Sequence, residues 1–455
     1  MFPWVESVLI PGPPPVMIPM HRGYYLLGRQ KSSDGSQWRA AIARIKIDGT
    51  YDTSFGSSGW MYANPGIMTG IVDALVANGK AYFLANLTVV QPATRDICVD
   101  LASGDNCFTG FNGLVTWGAT AAGPRTAAYG QRLAYDSRYG IYVAARIMNN
   151  NRGEEVGIAR ISASDGTLTT SFGNNGYNIG LPNWASPGDA QVSVNDMIVT
   201  PAGISGGTRL YIAGAIKRSA GDNDGFILGL GPDSGTTQTG WSWNDQAYCY
   251  ENDNTGDKND AVTAITVLRN GKIAYAGWSQ TDSANVQPLI MGRLAADGSY
   301  DDSFCAGNPN RGARACLVDP PSGFGPFYHA PYALPVAIGE RVANRDLVVT
   351  QRFVENSNDP VSQHAVRVRT QQFSASGNTL HAFSDVSMPG MDTGNPASWW
   401  TRPFGMYLGP AAVTPEVLAV VGTRQYAGDD YDTMLIHYVA NDTIFVDQFG
   451  KGNSD

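Results

Sequence analysis

The chain has 455 residues, of which 43% are hydrophobic and 16% are charged, and this balance excludes an intrinsically disordered protein. Its net charge is −9 and no block of clustered lysine and arginine occurs. This excludes a protein that binds nucleic acid through a basic surface. The 53 glycines and 26 prolines indicate many turns between short strands. No apolar stretch reaches the roughly 18 residues of a membrane-spanning helix.

The first predicted element is the strand WVESVLI (Trp4 to Ile10), which is followed by an extended Pro-rich connector. The segment lacks the basic start and the long apolar run of a signal peptide. Internal repeats occur in the rest of the chain, and repeats can share one continuous fold. We therefore predict an N-terminal strand and connector over residues 1–20 and a single domain over residues 21–455.

Four short strands are predicted between Asp260 and Phe304. The run AVTAITVL is followed by RNGK, and Asn-Gly is the strongest short hairpin signal. IAYAGWS and PLIMGRL are the next two strands, and a turn at Asp297-Gly298 leads into a fourth, which predicts an antiparallel meander. The same succession of strand, turn and strand recurs at Val72, Arg132, Val194, Arg341 and Val413.

One phrase appears three times: DGTYDTSFGSSG from Asp48, DGTLTTSFGNNG from Asp165 and DGSYDDSF from Asp297. Its Asp-Gly pair predicts a turn with positive φ, and the glycines after the phenylalanine predict a tight exit. The spacing of the copies is about twice a 60-residue unit, so the phrase marks alternate units of one repeat. We predict that the phenylalanines fill the space between neighbouring sheets: Phe55, Phe172 and Phe304.

Each copy of the phrase follows a strand that ends in Ala-Arg-Ile or Gly-Arg-Leu. Three arginines therefore precede equivalent turns, namely Arg44, Arg160 and Arg293. They are candidates to pair with the aspartate side of the turn that follows.

A four-stranded sheet cannot bury both of its faces alone, whereas repeated sheets arranged radially bury them against each other. The sequence therefore predicts an all-β fold, a β-propeller of four-stranded antiparallel blades, with seven blades. Six blades, eight blades and two stacked sandwiches are the alternatives. The first unit lacks a complete first strand, so we expect Trp4 to Ile10 or Thr443 to Phe449 to close the ring beside strands of the opposite terminus.

The five cysteines include two closely spaced pairs, Cys98 with Cys107 and Cys305 with Cys316. Both intervening stretches are polar and contain glycine, which suits a loop closed by a disulfide. Neither pair has the spacing of a metal site. We predict two disulfides that leave Cys249 free, with reduced structural thiols as the alternative. Disulfides would place the protein outside the cytosol.

The phrase copies ending near Phe55, Phe172 and Phe304, together with DAVTAITVLRNGKIAYAGWS, resemble the delta-sixty repeat of bacterial surface and secreted proteins. The resemblance covers about half of the chain. It implies repeated blades and a secreted or envelope location, and it implies no shared catalytic residues. Cys305 and the long insertions depart from the pattern. The tail NDTIFVDQFG resembles a short C-terminal signature of some proteobacterial secreted proteins, and it also fits the remnant of a last blade.

The densest acidic loop is ENDNTGDKND, from Glu251 to Asp260. Asp253, Asp257 and Asp260 offer the hard oxygen ligands that Ca²⁺ prefers, although the bidentate glutamate of the strict calcium loop is absent. A solvated turn is the alternative. Five scattered histidines show no paired spacing, which favours ordinary blade residues over a metal site in a central channel: His21, His329, His364, His381 and His437.

Two pairs of tryptophans lie near predicted loops, Trp241 with Trp243 and Trp399 with Trp400. Aromatic faces with polar neighbours can stack on a sugar or contact a protein partner. Packing inside a blade is the alternative. No nucleophile elbow, phosphate-binding loop or dinucleotide fingerprint occurs, and we predict no cofactor other than Ca²⁺.

These features predict a non-enzymatic binding or structural protein of a bacterial envelope or extracellular matrix, whose partner is a protein or a carbohydrate. One alternative is a propeller enzyme, such as a polysaccharide lyase, a glycosidase or a quinoprotein, with its site at the central channel. Convergent carboxylates, histidines or arginines on one face would distinguish it. The other alternative is the self-assembling subunit of a filament or sheath.

Overall fold

The chain folds into β-strands, as seen in a computed structural model. The structure describes residues 2–10, 16–31, 38–46, 48–63, 70–87, 93–109, 113–117, 125–150, 153–181, 191–200, 204, 208–217, 223–236, 259–279, 289–306, 315–318, 334–341, 344–354, 366–382, 386–387, 402–408, 417–425, 431–439 and 442–449. These residues form 28 strands and no helix. Within these ranges, nothing has the helical length and apolar character needed to cross a membrane.

Four antiparallel sheets occupy the first half of the chain. Sheet 1 contains β1 (Phe2–Ile10), β2 (Val16–Lys31), β3 (Trp38–Lys46) and β4 (Trp60–Ala63). Sheet 2 contains β5 (Gly70–Ala77), β6 (Lys80–Asn86), β7 (Ala93–Asp100) and β8 (Leu114–Thr116). Sheet 3 contains β9 (Arg125–Asp136), β10 (Gly140–Asn149), β11 (Gly153–Ile161) and β12 (Tyr177–Leu181). Sheet 4 contains β13 (Gln191–Val199), β14 (Leu210–Lys217) and β15 (Asn223–Leu230).

Three more sheets follow in chain order. Sheet 5 contains β16 (Asp260–Val267), β17 (Ile273–Ser279), β18 (Leu289–Leu294) and β19 (Cys316–Leu317). Sheet 6 contains β20 (Leu334–Glu340), β21 (Leu347–Val354), β22 (Val366–Phe373) and β23 (Thr379–Ala382), and β24 (Val386–Ser387) pairs with β22. Sheet 7 contains β25 (Arg402–Leu408), β26 (Val417–Gln425), β27 (Tyr431–Val439) and β28 (Asp442–Phe449).

The first strands of successive sheets contact one another from β5 through β9, β13, β16 and β20 to β25, and β2 contacts β5. The sheets therefore converge along their first strands and fan outwards from them. This is the β-propeller predicted from the repeats, with seven sheets described, and the closure of the ring stays a prediction. The first strand of each sheet has a register irregularity against its second strand, and such bulges increase the local bend and twist: β1, β5, β9, β13, β16, β20 and β25.

The hairpin predicted at Asn78-Gly79 joins β5 to β6. Asn78 has φ 50° and Gly79 has φ 71°, so both central residues adopt the left-handed conformation that a type I′ turn requires. Ala77 pairs with Lys80 immediately beside the turn. Local sequence therefore determines this turn, because few residues other than asparagine and glycine tolerate these angles.

Apolar residues are buried between successive sheets, in five clusters from sheets 1 and 2 through to sheets 5 and 6. Phe55, Phe172 and Phe304 are each at most 2% exposed and each lies in such a cluster, at the interface with the next sheet. The prediction that the phrase fills the space between sheets is confirmed. Successive residues of a strand point to opposite faces of its sheet, and each face packs against a different neighbouring sheet. Both faces of a sheet are therefore apolar.

The repeated phrase is a compact turn, which corrects the prediction that its third copy forms a fourth strand. The Asp48 carboxylate accepts a hydrogen bond from the amide of Thr50 at 2.9 Å, and Asp165 and Asp297 make the same bond. The residue after each phenylalanine has φ between 52° and 56°, and it is Gly56, Gly173 or Cys305. This left-handed residue ends the turn, and the fourth strand begins only afterwards.

An arginine lies over each buried phenylalanine. The guanidinium carbon is 4.8 Å, 5.2 Å and 5.0 Å from the ring centroid in the pairs Arg44–Phe55, Arg160–Phe172 and Arg293–Phe304. Two of these arginines form the ion pairs expected from the sequence, with Asp52 at 2.5 Å and with Asp301 at 2.6 Å. The second copy has Thr169 at this position, and there Arg160 donates to the Ser171 hydroxyl at 3.2 Å.

In sheets 3 to 6, the turn that follows the third strand accepts hydrogen bonds from the preceding sheet. Tyr82 donates to the carbonyl of Ala163, and Tyr142 and Arg160 donate to the carbonyl of Pro232. Arg209 contacts Ala296 and Arg293 contacts Ala375 in the same way. Each of these carbonyls is the second residue of its turn, so a repeated polar contact joins sheet 2 to sheet 6 in sequence. These bonds fix the rotation of one sheet against the next.

Both terminal strands pair within their own sheets. β1 pairs with β2, and β28 pairs with β27. The expectation that the first unit lacks a first strand and borrows one from the other terminus is therefore wrong. Strands adjacent in sequence pair most readily, because a short connection has the smallest loop-closure cost. β2 runs from Val16 to Lys31, so the predicted boundary at residue 20 falls inside a strand.

The two predicted disulfides are confirmed. Cys98 is bonded to Cys107 and Cys305 to Cys316. Cys98 is on β7 and its partner is in the loop that follows, so this disulfide closes the edge of sheet 2. Cys305 ends the third phrase and its partner begins β19, so this disulfide holds the phrase against the outer strand of sheet 5. Cys249 lies outside the described residues.

Candidate functional site

A cleft of about 430 Å³ opens between sheets 2 and 3, at the end where the first strands turn into the second strands. The Asn78-Gly79 turn of sheet 2 forms one wall and the turn after β9 forms another. The turn after β11, from Ser162 to Thr169, closes the third side. The lining residues are Asn78, Lys80, Tyr82, Tyr135, Ser137, Arg138, Tyr139, Gly140, Ser162, Ala163, Ser164 and Thr169.

Three tyrosines give the cleft its aromatic character. The rings of Tyr82 and Tyr135 are nearly parallel, with an interplanar angle of 16° and centroids 6.3 Å apart. The Asn78 side-chain amide donates to the Tyr135 hydroxyl. Tyr82 is buried, whereas Tyr135 and Tyr139 are half-buried. The cleft therefore offers ring surface that is held in place by neighbours from both sheets.

The hydroxyls of Tyr82 and Tyr135 stay protonated at neutral pH. Burial raises the pKa of Tyr82 to about 12. Burial, with a further contribution from Asp136, also raises the pKa of Tyr135. These phenols can serve as hydrogen-bonding groups, and their raised pKa values make proton transfer at neutral pH unfavourable.

Two cations line the cleft, Lys80 and Arg138. The Arg138 side chain is 54% exposed, and its guanidinium lies 5.5 Å from the centroid of Tyr139. Asp136 lies behind this turn and is nearly buried; its Oδ1 accepts the amides of Arg138 and Tyr139 at 2.8 Å and 3.2 Å. The Asp136 carboxylate thus binds the backbone of the turn, while Lys80 and Arg138 border the opening of the cleft.

Charged residues also follow the bulges of three neighbouring first strands. Asp73 Oδ2 accepts the amide of Leu133 in sheet 3 at 2.7 Å, and Asp196 Oδ2 accepts the amide of Ile265 in sheet 5 at 2.8 Å. Arg132 Nε donates to a backbone carbonyl of sheet 4 at 2.6 Å. Each side chain therefore bridges to the first strand of the next sheet.

The pKa values of these carboxyls reflect that buried position. Burial raises the pKa of Asp73, and the Arg132 charge and the bonded amides oppose the rise. Burial likewise raises the pKa of Asp196 to about 6, against the opposing bonds from Ile265 and Met197 and the charge of Arg132. One oxygen of each carboxyl accepts an amide of its own strand, and the other accepts an amide of the next sheet. Asp73 and Asp196 therefore join neighbouring sheets.

Asp96 is a buried carboxyl between sheets 2 and 3. It is 1% exposed, and neither oxygen has a hydrogen-bond partner in the described part of the chain. Asp73 and Asp96 both pair in register with Leu84, which places them on the same face of sheet 2. Burial raises the pKa of Asp96 well above its ordinary value, and the Asp73 carboxylate adds to the rise.

Replacing Asp96 with asparagine is expected to raise the free energy of unfolding at pH 8 by about 1–3 kcal/mol. The folded carboxyl holds its proton more tightly than the unfolded one, so stability falls as pH rises above about 4 towards the folded pKa. The Asp96→Asn variant is expected to lack this decrease in stability with rising pH. Urea titrations of both proteins between pH 4 and pH 8 measure it.

Asp165→Asn is the control, because Asp165 is exposed and its pKa is lowered by hydrogen bonds from Thr167. Its contribution to stability has the opposite sign of pH dependence, rising with pH above its folded pKa. Equal pH dependence in Asp96→Asn and in the parent protein would contradict the assignment of a neutral, buried Asp96.

Most sequence-predicted site residues fall outside the described ranges. This holds for Asp253 and Asp257 of the calcium prediction and for all four tryptophans, Trp241, Trp243, Trp399 and Trp400. Asp260 begins β16, is 2% exposed and pairs in register with Ser279. Within the described ranges no group of three or more potential metal ligands is found. The calcium and stacking predictions stay predictions.

The cleft residues were not singled out by the sequence. Their signal was present in the turn after β9, YDSRYG, where tyrosines flank a serine and an arginine. Tyr82, in the second strand of the preceding unit, is 53 positions from Tyr135, and no local pattern connects them. Only the packing of sheet 2 on sheet 3 brings their rings together.

The chain matches no protein-family model and no curated protein. Among solved structures it is similar to the polysaccharide lyase Uly1, with 11% identity and a TM-score of 0.47 over 92% of this chain and 88% of that one. It is also similar to an exo-1,5-α-L-arabinanase from a bovine ruminal metagenomic library, with 9% identity and a TM-score of 0.35 over 69% and 97% of the two chains.

A third similar structure is the subtype N10 neuraminidase-like protein of A/little yellow-shouldered bat/Guatemala/060/2010. It shares 12% identity and a TM-score of 0.39 over 83% of this chain and 95% of that one. These similarities concern the β-propeller fold.

Proposed function

We propose that this chain is a non-enzymatic β-propeller of a bacterial envelope or extracellular matrix that binds carbohydrate in the cleft between sheets 2 and 3. The observation that carries the proposal is the half-buried ring surface of Tyr135 and Tyr139 beside the amide of Asn78. Aromatic faces stack on the apolar faces of sugars, and neighbouring amides and hydroxyls bind sugar hydroxyls.

The location rests on separate features. The disulfides Cys98–Cys107 and Cys305–Cys316 support an oxidising compartment, because such bonds persist mainly outside the cytosol. The equivalent positions of the three phrase copies support membership of the delta-sixty repeat proteins, whose members are secreted or on the surface. The enzyme and the filament subunit are the alternatives to this proposal.

The proposal is tested with Tyr135→Ala. Affinity electrophoresis against a panel of plant and bacterial polysaccharides is expected to show retardation of the parent protein by at least one polymer. Loss of one stacked ring, worth about 1–1.5 kcal/mol, weakens binding about tenfold. Tyr129→Ala is the matched control, because Tyr129 is an exposed tyrosine on the same strand, six positions from Tyr135.

Two outcomes would contradict the proposal. One is equal binding by Tyr135→Ala and the parent protein, which would place the ligand elsewhere. The other is shortening of the polymer during incubation, measured as a fall in viscosity, which would support the enzyme alternative. Intact polymer with weakened binding of Tyr135→Ala alone is the expected result.

A further inference from the structure

We propose that the carbohydrate in this cleft is anionic, and that Lys80 and Arg138 bind its acidic groups. The inference rests on the proposed function and adds the charge of the ligand. The charged residues among those lining the cleft are these two, and both are cations. The chain as a whole carries a net charge of −9, so the cleft is a cationic site on an acidic protein.

Two acids that adjoin the cations, Asp136 and Asp100, are bonded to backbone amides. Asp136 Oδ1 accepts the amides of Arg138 and Tyr139, and its distance to Arg138 Nε is 3.6 Å. Asp100 pairs in register with Lys80, and its Oδ1 accepts the amides of residues 102 and 103. Asp136 therefore forms an ion pair with Arg138 from behind the turn, and neither acid lines the cleft, where the charged side chains are the two cations.

The positions of the two cations also suit a saccharide chain. Lys80 is on the sheet 2 wall and Arg138 on the sheet 3 wall, and the same cleft is lined by Tyr82, Tyr135 and Tyr139. Rings that can stack on sugar faces, with a cation on each wall of the same cleft, match a polymer whose sugars carry acidic groups. A guanidinium is well suited to a carboxylate or a sulfate, because its planar donors can bind two oxygens at once.

The test compares polymers that differ only in charge. Dextran sulfate is compared with dextran, and polygalacturonate with its methyl ester, by affinity electrophoresis and titration calorimetry. These pairs distinguish a sulfate ligand from a carboxylate ligand. We expect the parent protein to bind the charged member of at least one pair at least tenfold more tightly, with an affinity that falls as salt is raised.

The variant Lys80→Gln/Arg138→Gln is expected to lose this preference and most of the salt dependence. Lys46→Gln/Arg345→Gln is the matched control: it removes the same charge from exposed positions on sheets 1 and 6. Equal losses in both double variants would reveal unspecific attraction and overturn the inference. Equal binding of charged and neutral polymers would also overturn it. The proposed function would stand in that case if Tyr135→Ala still weakened binding of the neutral polymer.

Discussion

Replacing Phe172 with alanine is expected to lower the free energy of unfolding by about 3–5 kcal/mol. The ring is fully buried between sheets 3 and 4 and meets the Tyr142 ring edge-on, with centroids 5.8 Å apart. Gly235 of sheet 4 approaches so closely that a Cβ there would lie 2.4 Å from a ring carbon. Alanine leaves a cavity that two hydrogen-bonded sheets cannot collapse to fill.

Guanidinium titrations of the parent protein and of Phe172→Ala measure this loss. Tyr129→Ala removes a comparable ring from an exposed position on the same sheet, and we expect it to change stability by less than about 1 kcal/mol. Phe55→Ala and Phe304→Ala are expected to match Phe172→Ala, because their rings occupy equivalent interfaces. A loss below about 1 kcal/mol in all three would contradict their role in joining the sheets.

Removing the carboxylate of Asp301 is the second large effect. Asp301 Oδ2 lies 2.6 Å from Arg293 Nε and 2.6 Å from Lys272 Nζ, and Oδ1 accepts from the Ser303 hydroxyl at 2.7 Å. Arg293 is only 10% exposed, so Asp301→Ala leaves its charge buried without a counter-ion. Breaking one partner of such a pair is expected to lower the free energy of unfolding by about 3–5 kcal/mol.

The second copy of the phrase provides a comparison for this variant, because Thr169 stands where Asp301 does. Arg160 there is bound by the Ser171 hydroxyl and the Pro232 carbonyl. Asp301→Thr is therefore expected to destabilise less than Asp301→Ala. Asp165→Ala in an exposed turn is the control for loss of a carboxylate, and an equal loss in the two alanine variants would contradict the ion pair.

Acid titration gives a second measurement on Asp301. Burial alone would raise its pKa, but bonds from Lys272, Ser303 and Arg293 hold the pKa well below its ordinary value. The carboxylate therefore contributes stability that is fully present above the unfolded pKa of about 4 and is lost as pH falls further. Asp301→Ala is expected to show a shallower loss of stability below pH 4 than the parent protein.

Several features of the fold could be predicted from local sequence alone. The Asn78-Gly79 hairpin follows from the φ angles that these residues tolerate, and the burial of Phe172 follows from its place in a repeated phrase. The pairing of Cys98 with Cys107 follows from a short polar loop. The fourth strand of sheet 5 was predicted directly after Asp297-Gly298, and this was wrong. A turn follows these residues and ends at Cys305, which has a left-handed conformation, so the strand begins only at Cys316.

Most of the strands, the hairpin turn at Asn78-Gly79 and the repeat follow from local sequence, because they depend on residues within a few positions of one another. The side-chain contacts between neighbouring sheets, in contrast, depend on how the sheets pack. Tyr82 reaches Tyr135, and Asp73 reaches the amide of Leu133, across the boundary between sheets 2 and 3. The bulge before Asp73 aims its carboxylate at the next sheet, and neither oxygen of Asp96 has a hydrogen-bond partner among the described residues. Such contacts join residues that no local period relates, so they follow from the radial packing of sheets.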